Sequence, residues 1–221
     1  MTRLILQDQA AGLRNMTSFQ ALDSARVFTI AGGIARIGKT SVVVNLAIAL
    51  AQNGQRVLLI DENPCHNSIC TNLGLRARFD LLHVIHKDKR LDQVLLQGPE
   101  NIVILSAMRG IHALNKLNPL EQDWLIKSFA ELTESVDIVL IDTAMTGTTH
   151  VLPLSLASEQ VMIVVSGSAA SLTGAYALIK IMSQEYTKQH FLILVNKVDS
   201  ETESLSIYQN LYKVAHQYLS V

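Results

Sequence analysis

Short unbroken runs of apolar residues recur along the chain, separated by stretches with helical spacing. The runs are VFTI (27–30), VLLI (57–60), IVIL (102–105), DIVLI (137–141), VMIVV (161–165) and FLILV (191–195). Runs without polar alternation are typical of strands buried on both faces of a parallel sheet. The stretches with helical spacing are 40–54, 119–132, 171–186 and 201–219. This alternation predicts an α/β fold in which a doubly wound, mostly parallel sheet lies between two layers of helices.

The alternation also divides the chain into two parts. Residues 26–221 are predicted to form the α/β domain, and residues 1–25 an N-terminal leader. The leader could make about three helical turns, although Gly12 weakens a helix there. Two interpretations of the leader stay open: a frayed terminus, or a recognition peptide for another protein.

Composition narrows the classes of partner and compartment. The formal net charge is −1 and 49% of the residues are hydrophobic, so nothing indicates direct binding to nucleic acid or to an anionic membrane. Cys65 and Cys70 have the spacing of neither a zinc site nor a disulfide framework. The chain shows no signal peptide and no apolar run of membrane-spanning length, so we expect a cytoplasmic protein.

The strongest chemical signal is the stretch AGGIARIGKT (31–40), which contains the pattern G-x-x-x-x-G-K-[ST]. A predicted strand precedes it and a predicted helix begins at its end. The N–H groups at a helix N-terminus attract phosphate oxygens. Lys39 would reach the outer phosphates of a nucleotide, and the Thr40 hydroxyl would bind Mg²⁺. The sequence therefore predicts a phosphate loop.

Two carboxylates follow predicted strands directly. Asp61 comes after VLLI, and Asp142 ends the run DIVLID. Ligands of open α/β sheets bind at the carboxyl ends of the strands. Both residues are therefore candidate metal ligands, with helix capping as the structural alternative.

The order of these segments resembles the ParA/MinD branch of P-loop ATPases, and within it the FlhG (FleN) family of flagellar regulators. The resemblance rests on the phosphate loop and on VNLAIALAQNGQRVLLID, VLLQGPENIVIL, VDIVLIDTA and SLTGAYALIKIM. It implies a MinD-like body that binds ATP or ADP with Mg²⁺. The implied nucleotide-binding residues are Gly33, Ile34, Ala35, Arg36, Ile37, Gly38, Lys39, Thr40, Ser41 and Asn196, and the implied metal ligands are Thr40, Asp61 and Asp142.

The leader contributes a further motif to this resemblance. Family members begin with DQAxxLR, and this chain carries Asp8, Gln9, Ala10, Leu13 and Arg14 in that pattern. The resemblance implies that the leader helix stimulates a signal-recognition-type GTPase, FlhF, with Gln9 orienting the attacking water. It also implies other flagellar basal-body or regulatory partners, which would bring the protein to the cell pole or the inner face of the membrane.

Several positions depart from the family pattern GKGGxGK[ST]. The first Lys, which crosses a dimer interface to the partner's nucleotide, is Ile34 here, and the next two glycines are Ala35 and Arg36. The family's catalytic region, D-x-D, reads Asp61-Glu62-Asn63, and an amide is a poor general base. In the segment after Asp142, Thr146 replaces a glycine. We therefore expect hydrolysis to be weak or absent and assign no catalytic residue.

Alternatives to an impaired ATPase stay open. An active ATPase could use Arg36 and Glu62 as replacements and switch between monomer and dimer, and a plain scaffold would bind no nucleotide. A GTP switch is suggested by Asn196-Lys197-Val198-Asp199, because N-K-x-D at a strand end reads guanine in many GTPases. ATP is expected instead, because no D-x-x-G follows DIVLI.

Compared with the family, the chain is expected to stop early, before a loop that covers the base and a membrane-targeting helix. Its last predicted helix, 201–219, has Lys213 as its only Lys or Arg. A membrane-surface helix needs a basic polar face. We therefore expect this helix to pack on the sheet, with direct membrane contact doubtful.

Overall fold

The computed structural model describes residues 25–63, 68–114, 116–143, 158, 160–219 and 221. The DQAxxLR leader, Cys65 and the substituted positions after Thr143 lie outside the described residues.

The described residues form a seven-stranded sheet with helices on both faces. The strands are β1 (Arg26–Ala31), β2 (Val57–Asp61), β3 (Leu95–Gln97), β4 (Val103–Ser106), β5 (Ile138–Asp142), β6 (Gln160–Val165) and β7 (Phe191–Val195). The helices are α1 (Lys39–Gln52), α2 (Ile69–Asn72), α3 (Leu81–Ile85), α4 (Ile111–Leu114), α5 (Pro119–Thr133), α6 (Ala169–Tyr186) and α7 (Glu201–Leu219), with 3₁₀ turns at Leu91–Val94 and Pro99–Asn101. The predicted doubly wound α/β fold is confirmed.

The strand order is β3-β4-β2-β5-β1-β6-β7, and all neighbours are parallel except β3, which runs antiparallel to β4. Sequence reasoning missed β3. It is three residues long and lies half-buried or exposed at the edge of the sheet, so it lacks the apolar run that identifies the central strands.

Burial on both faces explains the unbroken apolar runs. Along β2, Leu58 belongs to a core cluster with Leu125 and Phe129 of α5, whereas Leu59 belongs to the opposite cluster with Val43 of α1. Successive side chains of a strand point to opposite faces. Each central strand must therefore supply apolar residues at every position.

Helix α7 packs on the sheet, as expected. Its residues Ile207 and Leu211 are buried in a third cluster with Val161 and Ile163 of β6. Among the described helices, none is long and apolar enough to cross a bilayer.

The parallel register brings the candidate site together. Asp142 at the end of β5 pairs with Ile30 of β1 on one side and with Asp61 of β2 on the other. The carboxyl ends of these three strands therefore meet beside the start of α1.

Candidate functional site

The loop between β1 and α1 follows a path that requires glycine at two positions. A side chain on Gly33 would place its Cβ 2.0 Å from the carbonyl carbon of Gly174 in α6. Gly38, with φ of 88°, precedes the first turn of α1, and a Cβ there would lie 2.4 Å from Nδ2 of Asn196. The loop is thus held against α6 and against the end of β7.

The bulky residues of the loop separate into buried and exposed groups. Ile37 is buried in the core cluster that includes Ile30 and Val43, and half-buried Ile34 packs against the same cluster. Ala35 and Arg36 are exposed. Arg36 has φ of 60°, a left-handed conformation that is unfavourable for a residue with a Cβ. The two isoleucines therefore anchor the loop to the core.

Lys39 lies at the start of α1, and both Lys39 and its ion-pair partner Asp142 are buried. Its Nζ donates hydrogen bonds to the Asp142 carboxylate and to the carbonyl of Thr143. The hydroxyl of the next residue, Thr40, donates to the other oxygen of Asp142 at 2.7 Å. Asp142 is fully buried, so the lysine provides the charge that a buried carboxylate needs.

Asp61 lies beside this group at the end of β2. Its carboxylate accepts hydrogen bonds from the backbone N–H groups of Ile69 (2.8 Å) and Asn63 (3.1 Å). Burial, with a smaller contribution from the nearby Asp142, raises the pKa of Asp61 to about 6. Two carboxylates held together in a buried site favour a bound cation.

The two residues after Asp61 differ in burial and in chemistry. Glu62 is wholly buried, and its backbone N–H donates to the carbonyl of Asp142 at 3.0 Å. Asn63 is half-buried and carries an amide in place of a carboxylate.

The end of β7 contacts the phosphate loop through two side chains. Nδ2 of Asn196 donates to the carbonyl of Ile37 at 2.8 Å, and Nζ of Lys197 donates to the carbonyl of Arg36 at 2.5 Å. These bonds fix the backbone of the loop that sequence reasoning assigned to phosphate binding.

The structure thus gathers most of the predicted site residues at one edge of the sheet. The loop from Gly33 to Thr40 lies there with Asp61, Asp142 and Asn196, whereas Ser41 is exposed on the first turn of α1. Asp8, Gln9, Ala10, Leu13 and Arg14 lie outside the described residues.

Sequence reasoning missed two contributors. Thr143 accepts from Lys39 through its carbonyl and donates through its hydroxyl to the carbonyl of Ile30 at 3.1 Å. Gly174 allows α6 to approach the loop. Thr143 directly follows Asp142 and could have been inferred from that position, whereas no signal in the sequence indicates Gly174.

The donor set fits a magnesium nucleotide. Hydroxyl and carboxylate oxygens of Thr40, Asp61 and Asp142 are the hard ligands that Mg²⁺ prefers, and Mg²⁺ commonly uses one or two carboxylates together with phosphate oxygens. The described residues contain no cluster of three or more His, Cys, Asp or Glu that would bind a metal by itself. Within the described ranges, no side chain caps the N-terminus of α1 at Gly38, so its N–H groups are suited to phosphate oxygens.

Sequence comparisons identify relatives over most of the chain. Residues 26–193 match a family model described as an AAA domain. The chain is 32% identical over 206 residues to the antiactivator FleN of Pseudomonas aeruginosa, which covers 93% of this chain and 74% of that protein. It is 26% identical to the flagellum site-determining protein YlxH of Helicobacter pylori, covering 94% of this chain and 70% of that protein.

Solved structures share the fold. The chain resembles a component of the MinC:MinD cell division protein complex of Aquifex aeolicus, with a TM-score of 0.68, 20% identity and coverage of 86% of this chain and 77% of that chain. A ParA family ATPase from Chlorobium tepidum matches with a TM-score of 0.68 and 20% identity, and the match covers 86% of this chain and 81% of that chain. Cobyrinic acid a,c-diamide synthase from Mycobacterium smegmatis, solved with bound ADP and magnesium, matches with a TM-score of 0.65 and 20% identity. This match covers 88% of this chain and 82% of that chain.

Proposed function

This chain belongs to the FleN (FlhG) family of MinD-like, ParA-type P-loop ATPases, and from that premise we propose that it regulates flagellar number or placement. Its α/β body binds nucleotide but has an impaired hydrolysis cycle, and its leader acts on a partner GTPase. The family resemblance makes ATP or ADP with Mg²⁺ the nucleotide to test first.

The binding role rests on the buried assembly at the phosphate loop. Lys39 and the first N–H groups of α1 would bind the phosphates, and Thr40, Asp142 and Asp61 would hold Mg²⁺. Bound Mg²⁺ neutralises phosphate charge. In the described arrangement Lys39 pairs with Asp142, so nucleotide binding would exchange part of this ion pair for contacts to phosphate and Mg²⁺.

The observation that carries the impaired cycle is the position of Ile34. It replaces the family's trans-acting lysine, and it packs against the core cluster beneath the loop. An aliphatic side chain held there offers no charge to the phosphates of a second copy. Asn63 adds to this loss because its amide cannot take a proton from the attacking water.

Back-substitution tests the impaired cycle. We expect the purified chain to bind Mg-ATP and Mg-ADP in calorimetry and to release phosphate slowly. The double variant Ile34→Lys/Asn63→Asp should raise turnover at least about tenfold, since removal of one hydrogen-bond donor aimed at developing negative charge typically lowers a rate by about 10²–10³. The double variant Ile34→Met/Asn63→Gln changes the same two positions without adding a positive charge or a carboxylate, and it controls for loop repacking.

The opposite result would identify an active ATPase. Brisk phosphate release by the unmodified chain, with ATP-dependent dimerisation and loss of both in Lys39→Ala, would refute the impaired cycle. If the chain bound no nucleotide at all, the result would favour the alternative in which the α/β body is a scaffold without a ligand.

The leader is proposed to present Gln9 to an FlhF-type GTPase. A neutral amide can orient a water molecule without being ionised. Addition of the chain to such a GTPase should accelerate GTP hydrolysis, and Gln9→Ala should abolish the acceleration, whereas the neighbouring Gln7→Ala should preserve it. Equal stimulation by both variants would exclude this role. The partner, together with other flagellar proteins, would place the protein at the cell pole.

A further inference from the structure

The free edge of the sheet at β7 and the adjacent flank of α7 together form an exposed apolar surface. We propose that two copies of the chain pair through this surface, with their β7 strands antiparallel and their α7 helices side by side. The pairing needs no nucleotide, so it is distinct from an ATP-dependent dimer. It adds an interaction surface that lies away from the phosphate loop.

Exposed apolar side chains are concentrated at this edge of the sheet. Among the described residues, eight large hydrophobic side chains are exposed, and six of them lie on β7 or α7. These six are Leu192, Leu205, Tyr208, Tyr212, Val214 and Tyr218. Single exposed apolar residues are ordinary on a protein surface, whereas a contiguous patch marks an interaction site.

Strand β7 lacks the protection that edge strands usually carry. Within the described part of the chain it pairs only with β6. Its sequence, FLILV (191–195), contains no charge and no proline, and each of its five residues is half-buried or exposed. Natural proteins blunt an open edge with lysine, proline or a covering segment, because unpaired N–H and C=O groups recruit another strand. The edge of β7 is therefore suited to pairing with a further strand.

The flank of α7 beside this edge is aromatic. A groove lined by Tyr176 of α6 and Val214 of α7 marks the flank that faces α6. Tyr208 and Tyr212 line a second groove, with Ile193 of β7, and at 100° per residue they project away from Val214. Their rings stack with centroids 6.0 Å apart. The stacked tyrosines therefore lie on the side of α7 away from α6, beside the free edge of β7.

A twofold axis at the centre of this surface makes it complementary to itself. Ile193 is the middle residue of β7 and shares a groove with Tyr208 and Tyr212 near the middle of α7, so antiparallel strands place the two helices antiparallel as well. Glu201 in the first turn and His216 in the last turn project from the same flank as the tyrosines. The axis brings Glu201 of each copy to His216 of the other, and antiparallel helices also oppose their dipoles favourably. Self-complementarity of this kind is what an isologous contact requires.

Sedimentation velocity of the full chain, without nucleotide and with EDTA, tests the pairing. We expect a dimer at micromolar concentration. Tyr208→Glu/Tyr212→Glu should raise the dissociation constant at least about 30-fold, because buried aromatic anchors carry much of the binding energy of an interface. Leu120→Glu is the matched control, since Leu120 is 80% exposed on α5 and this variant should stay dimeric. Far-UV circular dichroism should show the same helix content in all of these proteins.

A charge exchange tests the antiparallel arrangement independently of the tyrosines. At about pH 6, where histidine is partly protonated, Glu201→Lys and His216→Glu should each weaken the dimer at least about threefold, because each places like charges opposite one another. The double variant Glu201→Lys/His216→Glu should restore it. The two residues of one chain are 15 positions apart on α7, or about 22 Å, so restoration requires contact between two copies.

The remaining outcomes overturn the inference. A monomeric chain refutes the pairing, including the case in which another segment of the same chain covers the edge. A dimer that survives the tyrosine variant, or that the charge exchange does not restore, refutes this surface or its antiparallel arrangement, and an open polymer refutes the twofold contact. Calorimetry with Mg-ATP, which the tyrosine variant should bind like the unmodified chain, reports separately on the proposed nucleotide binding.

Discussion

The buried ion pair between Lys39 and Asp142 lends itself to a quantitative test. Lys39→Met keeps most of the aliphatic length of the lysine side chain and removes its charge. Asp142 is fully buried, so the variant leaves an uncompensated carboxylate. Among the described residues, its remaining side-chain hydrogen bond is the one from Thr40 at 2.7 Å. Removal of one member of a buried pair typically costs about 3–5 kcal/mol.

We expect this loss in the free energy of unfolding of the ligand-free protein, measured by urea denaturation with far-UV circular dichroism. For a chain of 221 residues, each kcal/mol shifts Tm by about 2–4 °C, so Tm should fall by about 10 °C. The double variant Lys39→Met/Asp142→Asn removes the stranded charge as well. This double variant should regain more than half of the lost free energy of unfolding. It should not bind Mg-ATP, because it lacks both Lys39 and the Asp142 carboxylate.

Lys213→Met provides the control, because Lys213 is exposed on α7 and its removal should change stability by less than about 0.5 kcal/mol. The reasoning fails if Lys39→Met loses less than about 1 kcal/mol. It also fails if the double variant is as unstable as the single one, since the loss would then not come from the stranded carboxylate.

Three further predictions concern the surroundings of the loop. The pKa of Asp61 is raised from 3.8 to about 6, so the folded state holds this proton more tightly than the unfolded chain, and stability falls as pH rises through that interval. Asp61→Asn should therefore raise the free energy of unfolding by about 3 kcal/mol at about pH 7.5 and by little at about pH 4. Equal gains at both pH values would contradict this. Gly33→Ala should lower the free energy of unfolding, measured by urea denaturation, by about 1–3 kcal/mol, because the new Cβ would lie 2.0 Å from the backbone of Gly174. An unchanged denaturation midpoint would show that α6 does not constrain the loop. Burial, with a smaller contribution from the charge of Asp61, raises the pKa of the Cys70 thiol to about 11. In a Cys65→Ser variant, the reaction of Cys70 with a disulfide reagent near pH 8 should therefore be about 100-fold slower than that of free cysteine. A rate like that of free cysteine would refute the burial argument.

The local pattern of apolar residues was sufficient to predict the central strands of the sheet. The runs that predicted β1, β2 and β5 are continuous apolar segments because both faces of those strands are covered. It also located the candidate ligands: Lys39 and Thr40 follow a glycine at the start of a helix, and Asp61 and Asp142 end parallel strands. Their role as ligands stays a prediction, since their geometry reports position and not binding.

The contacts that define the site depend on strand order, which local periodicity does not encode. Lys39 and Asp142 are 103 positions apart, and they meet because β5 inserts between β1 and β2. The approach of Gly174 to Gly33 and the bond from Asn196 to the loop have the same origin, because each joins segments that are remote in sequence.

The sequence by itself therefore determined which residues carry charge, hydroxyl groups or backbone freedom, and at which end of each strand or helix they lie. The tertiary structure decided which of them share one site, and which way the side chains of the loop point. Ile34 and Ile37 illustrate the difference: the sequence identified two bulky apolar residues in a loop predicted to bind phosphate, and only the packed core beneath the loop explains their burial. The physical reason is that alternation within one element reports which face is buried, whereas the identity of the neighbour is set by long-range packing.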